Sequence, residues 1–186
     1  ILGNTHGCLD SSKYIMSEDI VAFELPDGVA ADLSFGVVAA RFNKDLVDAL
    51  VSQVTTALQG AGVPNDNVTT IRVPGSNEIP YAVNMLGMSG EVDCIIAVGV
   101  VIAGDTNHHD VIAASCATAL HNISIELEIP IINGIITTNN IEQAKDRITG
   151  KYQRGVAFAN AALEMANTAS RFSKDFLEMD LDIEDL

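Results

Sequence analysis

The residues best suited to chemistry in this chain lie in one short polar segment behind an apolar run. The apolar run, Cys94–Ile102, predicts a fully buried strand, and the polar segment Gly104–Asp110 predicts the start of a helix. Backbone N–H groups at the start of a helix are unpaired and lie at the positive end of the helix dipole. Such a junction favours an anion, so the sequence predicts a phosphate site here.

Three residues of this segment add to the predicted site. Gly104 lets the backbone approach a ligand closely, Thr106 offers a hydroxyl group, and His108 is the side chain most easily titrated near neutral pH. We interpret the segment as a phosphate site with a proton carrier beside it. The alternative is an ordinary polar helix start, in which Asp105 and Asp110 serve only the helix dipole.

The pair His108-His109 followed by Asp110 also raises the question of a metal site. Adjacent helical residues point about 100° apart, and no second histidine stands four positions further on, so the pattern argues against a metal. The motifs GxxxxGK[ST] and GxGxxG do not follow the first predicted strand, and neither a GxSxG motif nor a Cys-His arrangement indicates a covalent hydrolase.

Predicted strands and helices alternate along the chain before and after this segment. The predicted strands are Leu33–Ala40, Val68–Val73, Cys94–Ile102 and Pro130–Ile136. Helices are predicted after Asn43 as a cap, through Ile79 to Leu86, over about His108–Glu128, after the capping residues Thr138-Asn139-Asn140, and over about Tyr152–Phe172. Repeated βαβ units require a parallel sheet with helices on both faces, which is an α/β fold with a four-stranded sheet.

Two terminal segments differ from this alternating region. Residues 1–32 lack sustained periodicity and are predicted to form an N-terminal arm or edge element rather than a separate domain. Residues 173–186 hold six acidic residues and one lysine, which predicts a mobile acidic tail whose apolar residues leave docking on another subunit open. The expected organisation is therefore one α/β domain over residues 33–172 with an extension at each end.

Charge and composition exclude several classes of partner. The formal net charge of −15 argues against nucleic acid or an anionic membrane surface, and no apolar run is long enough to span a bilayer. The three cysteines are Cys8, Cys94 and Cys116; they show no metal-ligand spacing, and the last two are predicted to be buried thiols. A reducing compartment fits, so we expect a cytoplasmic protein, or one of an organellar stroma if a leader was removed.

The unusual polar clusters all accompany the predicted strands. They are Arg41–Asn43, Gly75–Glu78, Gly104–Asp110 and Asn133–Asn139. The carboxyl ends of parallel strands meet at one edge of a sheet, where open α/β sheets bind ligands, so these clusters are expected to converge. Taken singly, Phe42 would fit a core position and Glu78 a carboxylate that serves a helix dipole.

Several longer motifs occur in a fixed order over about residues 33–172. They are Ala40-Arg-Phe-Asn43, Val73-Pro-Gly-Ser-Asn-Glu-Ile-Pro80, Gly99–Asp110, Ile132-Asn-Gly-Ile-Ile-Thr-Thr138, Glu142-Gln-Ala144 with Arg147, and Ala162-Leu-Glu-Met-Ala166. In these motifs the chain resembles the 6,7-dimethyl-8-ribityllumazine synthase family of riboflavin biosynthesis. The resemblance implies a flavodoxin-like three-layer sandwich. It also implies a transferase that condenses 5-amino-6-(ribitylamino)uracil with 3,4-dihydroxy-2-butanone 4-phosphate, releasing inorganic phosphate and water, without a cofactor or a metal.

The resemblance also implies a role for each site residue. Phe42 would stack on the pyrimidine ring, and His108 would be the catalytic residue that shuttles protons. The other residues on the pyrimidine and ribityl side would be Ser76, Asn77, Glu78, Val101, Ile102 and Asn133. The residues on the phosphate side would be Gly104, Asp105, Thr106, Asn107 and Arg147, with Lys151 and Arg154 near a further basic position of the family.

Some positions depart from the pattern of the family. Ala103 stands where the family usually has a basic residue, and His109 stands where it usually has Phe or Tyr. Asn77 replaces a usual aromatic residue, and Asn133 replaces a Phe that often packs over the substrate ring from the adjoining subunit. The loop Ile148–Gln153 is shortened. These changes bear on substrate affinity and rate more than on the fold.

The resemblance further implies a homo-oligomer, because Arg147 and Asn133 complete a site only when a neighbouring subunit supplies them. We expect a closed pentamer, with a sixty-subunit shell as a further assembly. Two other functions stay open: an archaeal-type riboflavin synthase-like enzyme, and a low-activity lumazine- or flavin-binding scaffold on the same fold. The segment Gly104–Asp110 together with Arg147 favours the phosphate-using reaction. Ala103 and Asn133 are the residues that leave the scaffold function as an alternative.

Overall fold

The computed structural model describes residues 25, 26 and 28–184, with side chains as far as residue 173. Most of the predicted N-terminal arm, residues 1–24 and 27, and with it Cys8, lies outside the described residues, as do residues 185 and 186. The described part of the arm contains a short 3₁₀ helix, Val29–Asp32. No helix within the described ranges combines the length and apolar character that a membrane span requires.

Four parallel strands form one sheet in the described part of the chain. They are β1 (Phe35–Ala40), β2 (Val68–Val73), β3 (Cys94–Ile102) and β4 (Ile131–Thr138). The helices are α1 (Lys44–Gly60), α2 (Ile79–Met88), α3 (His108–Leu127), α4 (Ile141–Ile148) and α5 (Arg154–Glu184). The spatial order of the strands is β2-β1-β3-β4, and every pair is parallel. This order matches the first four positions of the flavodoxin-like sheet, which confirms the predicted fold class.

The core has two parts, one on each face of the sheet. Along β1, Phe35 and Val37 face a cluster formed with α1, α4 and α5, whereas Val38 and Ala40 face a cluster formed with α2 and α3. Successive side chains of a strand point to opposite faces, so a strand buried on both faces must be apolar at every position. All six residues of β1 are buried, and the three-layer arrangement predicted from the apolar runs is confirmed.

The elements differ from the predicted ones mainly at their ends. The first strand begins at Phe35 rather than Leu33, because Leu33 directly follows the 3₁₀ helix, and the fourth continues to Thr138. The last helix runs to Glu184, so the segment predicted as an acidic tail from residue 173 is helical up to that point. No Gly or Pro follows Gly155, and the many Leu, Met, Glu and Ala residues favour continuation of the helix.

Gly134 of β4 lets α5 pack closely on the sheet. A Cβ atom at this position would lie 2.8 Å from the carbonyl oxygen of Ala97 and 3.0 Å from Cδ2 of Phe158. Because the first of these contacts is with backbone of the neighbouring strand, a side chain cannot be accommodated by rotating a neighbour.

We expect Gly134→Ala to lower the free energy of unfolding by about 1–3 kcal/mol, the usual cost of overpacking a tight core. Gly60→Ala is the matched control, because a Cβ atom at Gly60, the last residue of α1, meets no atom within 4 Å. Urea unfolding monitored by circular dichroism gives the free energy of unfolding of both variants. Equal stability of the two would show that the contact with Ala97 does not constrain β4.

Candidate active site

A cavity of about 380 Å³ opens at the carboxyl ends of β1, β2 and β3. Its wall is formed by Phe42, Asn43, Gly75, Ser76, Asn77, Glu78, Val100, Val101, Ile102, Gly104, Thr106, His108, His109 and Ile112. From β1 the chain continues to β2 on one side, while β3 pairs with the other side of β1. The cavity therefore lies at the point where the strand order reverses, where open α/β sheets bind ligands.

The turn after β1 presents an aromatic ring to this cavity. Phe42 is 71% exposed, which excludes the alternative that it is a core residue. The turn is held by N–H groups of Arg41 and Phe42, which donate to the carbonyl oxygens of Val73 and Pro74 at 2.8 and 3.2 Å. An exposed ring on a fixed turn is a flat apolar platform suited to a planar ligand.

The predicted capping role of Asn43 is wrong. The residue adopts a left-handed backbone conformation, φ 53° and ψ 46°, and its side chain makes no capping hydrogen bond to α1. Asparagine tolerates this conformation better than most residues. Its Nδ2 instead donates to the carbonyl oxygen of Val100 at 2.8 Å. The side chain thus joins the turn after β1 to β3, and it lines the cavity.

The turn after β2 lies tightly against β3. Ser76 is only 8% exposed, and a Cβ atom at Gly99 would lie 2.5 Å from its Oγ, so glycine is required for this approach. The thiol of Cys116 on α3 donates to the carbonyl oxygen of Ser76 at 3.3 Å. Contacts with β3 and with α3 therefore hold Ser76 in place.

Glu78 both stabilises this turn and lines the cavity. Its Oε2 accepts a hydrogen bond from the N–H of Gly75 at 2.9 Å. One carboxylate oxygen of Glu78 therefore serves the local helix start, which was the alternative interpretation of this residue. The side chain is exposed at the cavity wall, and a carboxylate has lone pairs for several donors, so it can also accept from ligand hydroxyl groups.

The predicted phosphate segment forms another wall of the same cavity. Residues Gly104–Asn107 are all exposed, and α3 begins directly after them at His108. Gly104, Thr106 and His108 line the cavity, whereas Asp105 and Asn107 belong to the same loop without being part of the wall. The side chain of Asn107 makes no capping hydrogen bond to α3. The N–H groups of Asp110 and Val111 already donate to the carbonyl oxygen of Asn107, so the N–H groups that a ligand could use are those of His108 and His109.

The charges of this cavity are unusual for an anion site. The titratable side chains in its wall are Glu78, His108 and His109, and the wall residues include no lysine or arginine. Ala103 at the end of β3 supplies no charge where the family usually has a basic residue. A phosphate bound here would rely on helix N–H groups and hydroxyls unless a cation came from elsewhere.

Three further predicted residues, Asn133, Arg147 and Arg154, line a second cavity, of about 270 Å³, beside the edge strand β4, whereas Lys151 lies in neither wall. Its wall is formed by Asn133, Ile135, Ile136, Thr137, Arg147, Tyr152, Arg154 and Phe158, none of which lines the first cavity. Oδ1 of Asn133 accepts from the N–H of Ile135 at 3.1 Å, which pairs a backbone donor of the edge strand. Within one chain the predicted site residues therefore fall into two separate groups.

The cations of this chain that were predicted to bind phosphate belong to the second group. Arg147 and Arg154 line the same cavity, and none of the ion pairs within the described residues involves either of them. The guanidinium carbon of Arg154 lies 5.2 Å from the ring centre of Phe158. Nζ of Lys151 lies 4.6 Å from the ring centre of Tyr152, which also lines this cavity. The contacts with aromatic rings favour fixed positions for these cations.

Some wall residues of the first cavity were not among the predicted site residues. They are Asn43, Gly75, Val100, His109 and Ile112. Asn43, Gly75 and His109 lie inside the polar clusters that the sequence singled out, so position relative to the strand ends could have indicated them. Ile112, one helical turn after His108, is an apolar residue without a comparable signal.

The fold and the cavity together define the class, an α/β protein with a small-molecule site at the switch point of a parallel sheet. The sequence profile of the 6,7-dimethyl-8-ribityllumazine synthase family matches residues 32–170. The 6,7-dimethyl-8-ribityllumazine synthase of Aquifex aeolicus is 43% identical over 139 residues, which cover 74% of this chain and 90% of that protein. The corresponding protein of Xanthomonas oryzae pv. oryzae is 38% identical over 134 residues, covering 72% of this chain and 87% of its own.

The chain belongs to the 6,7-dimethyl-8-ribityllumazine synthase family. The resemblance found in the sequence motifs is thus confirmed, together with the α/β fold.

The two cysteines within the described residues provide a test of this packing. Both are buried, as predicted, and burial raises the pKa of the Cys94 thiol and of the Cys116 thiol, with Glu78 adding to the rise at Cys116. A raised pKa means less thiolate, the nucleophilic form, at any given pH.

We therefore expect iodoacetamide at pH 8 to leave Cys94 and Cys116 unmodified in the folded protein. Peptide mass spectrometry after a timed reaction measures the modification, and the same reaction in urea is the control in which both should be labelled. Labelling of Cys116 at the same rate in both states would contradict the observed contact between its thiol and the turn at Ser76.

Proposed function

We propose that this chain condenses 5-amino-6-(ribitylamino)uracil with 3,4-dihydroxy-2-butanone 4-phosphate to form 6,7-dimethyl-8-ribityllumazine, releasing inorganic phosphate and water. The observation that carries the proposal is the first cavity. It brings an aromatic platform, hydroxyl-binding groups, a helix start and a histidine together at one edge of the sheet, through Phe42, Ser76, Glu78, Thr106 and His108. No observation on the described residues favours a riboflavin synthase-like enzyme or an inactive scaffold.

The pyrimidine substrate fits the part of the cavity formed by the turns after β1 and β2. Its planar ring would stack on Phe42, and its ribityl hydroxyls would donate to the free lone pairs of Glu78. Ser76 offers a hydroxyl group at the same wall. The other contacts proposed on this side come from Asn77, Val101 and Ile102, with Asn133 supplied by a neighbouring subunit.

The butanone phosphate fits the part of the cavity at the start of α3. Its phosphate would accept from helix N–H groups and from the hydroxyl of Thr106, in the loop that also contains Asp105 and Asn107. The wall supplies no lysine or arginine, so Arg147 of an adjoining subunit would provide the guanidinium group that pairs with the phosphate. Arg154 and Lys151 would contribute further positive charge from the same neighbour.

A divided site requires more than one subunit. The second cavity borders the edge strand β4, where another subunit can approach. Each subunit would use its first cavity and the second cavity of a neighbour. A head-to-tail contact of this kind forms a ring when the rotation between neighbours closes, and we propose that it closes as a pentamer, with a sixty-subunit shell as a further level of assembly.

His108 would carry the protons that the condensation moves. The reaction forms a Schiff base between the amino group and the ketone, eliminates phosphate and closes the second ring, and each step transfers a proton. His108 lies at the junction of the phosphate loop and α3, within the cavity wall and next to both proposed substrates. Much of the rate would come from holding the two substrates in the correct relative orientation.

The appearance of the lumazine chromophore when both substrates are mixed with the protein tests the proposed function directly. Replacing Arg147 by Ala should raise KM for the butanone phosphate roughly tenfold to hundredfold, because a charge-assisted hydrogen bond contributes about 1.5–3 kcal/mol. KM for the pyrimidine should change little. Lys145→Ala on the same helix is the matched control for loss of a positive charge, since its side chain is exposed and lies outside both cavities.

Equal increases in both KM values, or no increase in either, would remove Arg147 from the phosphate site. Absence of any chromophore with the wild-type protein would instead overturn the proposed function itself.

The shared site predicts complementation between two impaired variants. Phe42→Ala damages the first cavity and Arg147→Ala the second, so every site of either pure oligomer is defective. After joint unfolding and refolding in equal amounts, about one quarter of the sites of a random mixed ring should combine two intact halves. Activity at low butanone phosphate should then exceed the mean of the two pure variants.

The matched control is a mixture of Phe42→Ala with Glu78→Gln. Both changes lie in the first cavity, so mixing creates no repaired site and should give no gain. A gain in neither mixture, or full activity in a monomer identified by sedimentation, would contradict the shared site.

A further inference from the structure

The loop Gly104–Asn107 is attached to the rest of the molecule at its two ends. Before it, the N–H of Ala103 donates to the carbonyl oxygen of Thr138 on β4 at 2.9 Å. Near its end, the carbonyl oxygen of Thr106 lies 3.1 Å from Nδ1 of His109. All four loop residues are exposed, and Asn107 does not cap α3 with its side chain. The ring of His109 is therefore the side chain that fastens the loop to the first turn of the helix.

The contact with Thr106 determines which nitrogen of the ring must donate to the loop. A carbonyl oxygen can only accept, so the contact with Thr106 requires a proton on Nδ1. The other nitrogen, Nε2, lies 3.4 Å from Oδ1 of Asp110, whose side chain is largely exposed. The side chain of His109 is only 15% exposed, so packing holds the ring in this orientation.

This contact bears on the phosphate because the first cavity depends on fixed dipoles. Its wall contains no lysine or arginine, so the subunit itself offers an anion only hydroxyl and N–H groups, besides the two histidines. Such groups bind an anion well only when they are held in place before it arrives, since ordering them on binding reduces the affinity. Without the His109 contact, the end of the loop would be held by the carbonyl oxygen of Asn107, which accepts from the N–H groups of Asp110 and Val111 at 3.2 and 3.5 Å, while the carbonyl group of Thr106 would lose the side chain that orients it.

Building on the proposed function, we propose that His109 is a positioning residue for the butanone phosphate. Its Nδ1–H holds the carbonyl group of Thr106 and so keeps the loop in the shape in which Thr106 and Gly104 line the cavity. The histidine acts through the loop and does not itself transfer a proton.

Two substitutions separate the hydrogen bond from the ring. His109→Phe keeps a ring of similar size and removes both nitrogens. His109→Asn removes the ring but places an amide N–H close to the position of Nδ1, where it can still donate to Thr106. His121→Phe is the matched control, because His121 is an exposed histidine of the same helix outside both cavities.

Kinetics should distinguish these variants. We expect His109→Phe to raise KM for the butanone phosphate about three- to tenfold, the loss expected for one side-chain-to-backbone hydrogen bond. KM for the pyrimidine and kcat should stay within twofold of wild type, roughly the measurement error of such values. His109→Asn should restore the wild-type KM, and His121→Phe should match wild type throughout. An unchanged KM in His109→Phe, equal increases for both substrates, or failure of the Asn variant to restore KM would overturn the proposal.

Amide hydrogen exchange tests the same inference without any turnover. Exchange of the Asp110 and Val111 amides, which donate to the carbonyl oxygen of Asn107 at the end of the loop, should be about three- to tenfold faster in His109→Phe than in wild type, and His109→Asn should be close to wild type. Amides of Cys94–Ile102 serve as the internal reference for intact folding. If wild-type protein forms no lumazine, the proposed function fails while exchange still decides whether His109 fixes the loop. If the amides of Asp110 and Val111 exchange equally fast in all variants, the positioning role is refuted.

Discussion

The parallel pairing of β1 with both β2 and β3 is the constraint on which the rest of the structure depends. Parallel strands end at one edge of the sheet, and beyond their last ladder bonds the backbone groups need partners from the residues that follow. The turns that follow must therefore find other partners. They do so through the bonds of Arg41 to Val73 at the end of β2 and of Phe42 to Pro74 just after it, and through the bond of Asn43 to Val100. The cavity is the space that these mutually bonded turns leave.

Close approach between elements is possible because small residues occupy the contact points. Gly99 lets the turn at Ser76 lie on β3, and Gly134 lets Phe158 of α5 lie on β4. Such contacts bury polar atoms, and those atoms have partners: within the part of the chain described, no buried side-chain nitrogen or oxygen lacks a hydrogen bond. Pairing of buried polar groups avoids a cost of about 1–3 kcal/mol for each group. The site is thus rigid for the same reason that the core is stable.

The strands were predictable because burial on both faces produces continuous apolar runs. Two of the four predicted strands have the observed bounds, the first begins two residues later than predicted, and the fourth begins one residue later and ends two residues later. The backbone conformation of Asn43 could not be predicted, since a polar residue before a helix normally suggests a cap. Its left-handed conformation depends on a tertiary partner, the carbonyl of Val100, which the local sequence does not reveal. His109 was missed for another reason: its partner is the backbone carbonyl group of Thr106, three residues earlier, and a backbone partner leaves no signal in the residue types.

The motifs named candidate site residues and the resemblance implied that a neighbouring subunit supplies some of them, but the cavities that hold them could not be read from the motifs. Motifs identified both Phe42 and Arg147, yet only the folded chain separates them into two cavities. The separation follows from the strand order. Residues after β1, β2 and β3 meet around the switch point, whereas β4 and the elements that follow it lie at the sheet edge. A sequence motif carries no information about which side of a sheet a later element will occupy.

The division of the proposed site into two cavities also separates its negative charge from its positive charge. The chain has a net charge of −15, and the wall of its first cavity contains a glutamate but no lysine or arginine. A single subunit is therefore better suited to the uncharged pyrimidine than to a phosphate ester, which the surrounding negative charge repels. The arginines of the second cavity lie at an edge that another subunit can reach. In the proposed assembly, the positive charge required by the anionic substrate becomes available only when subunits associate. Anion binding and assembly would thus stabilise each other, because a ligand that binds only the associated form favours that form.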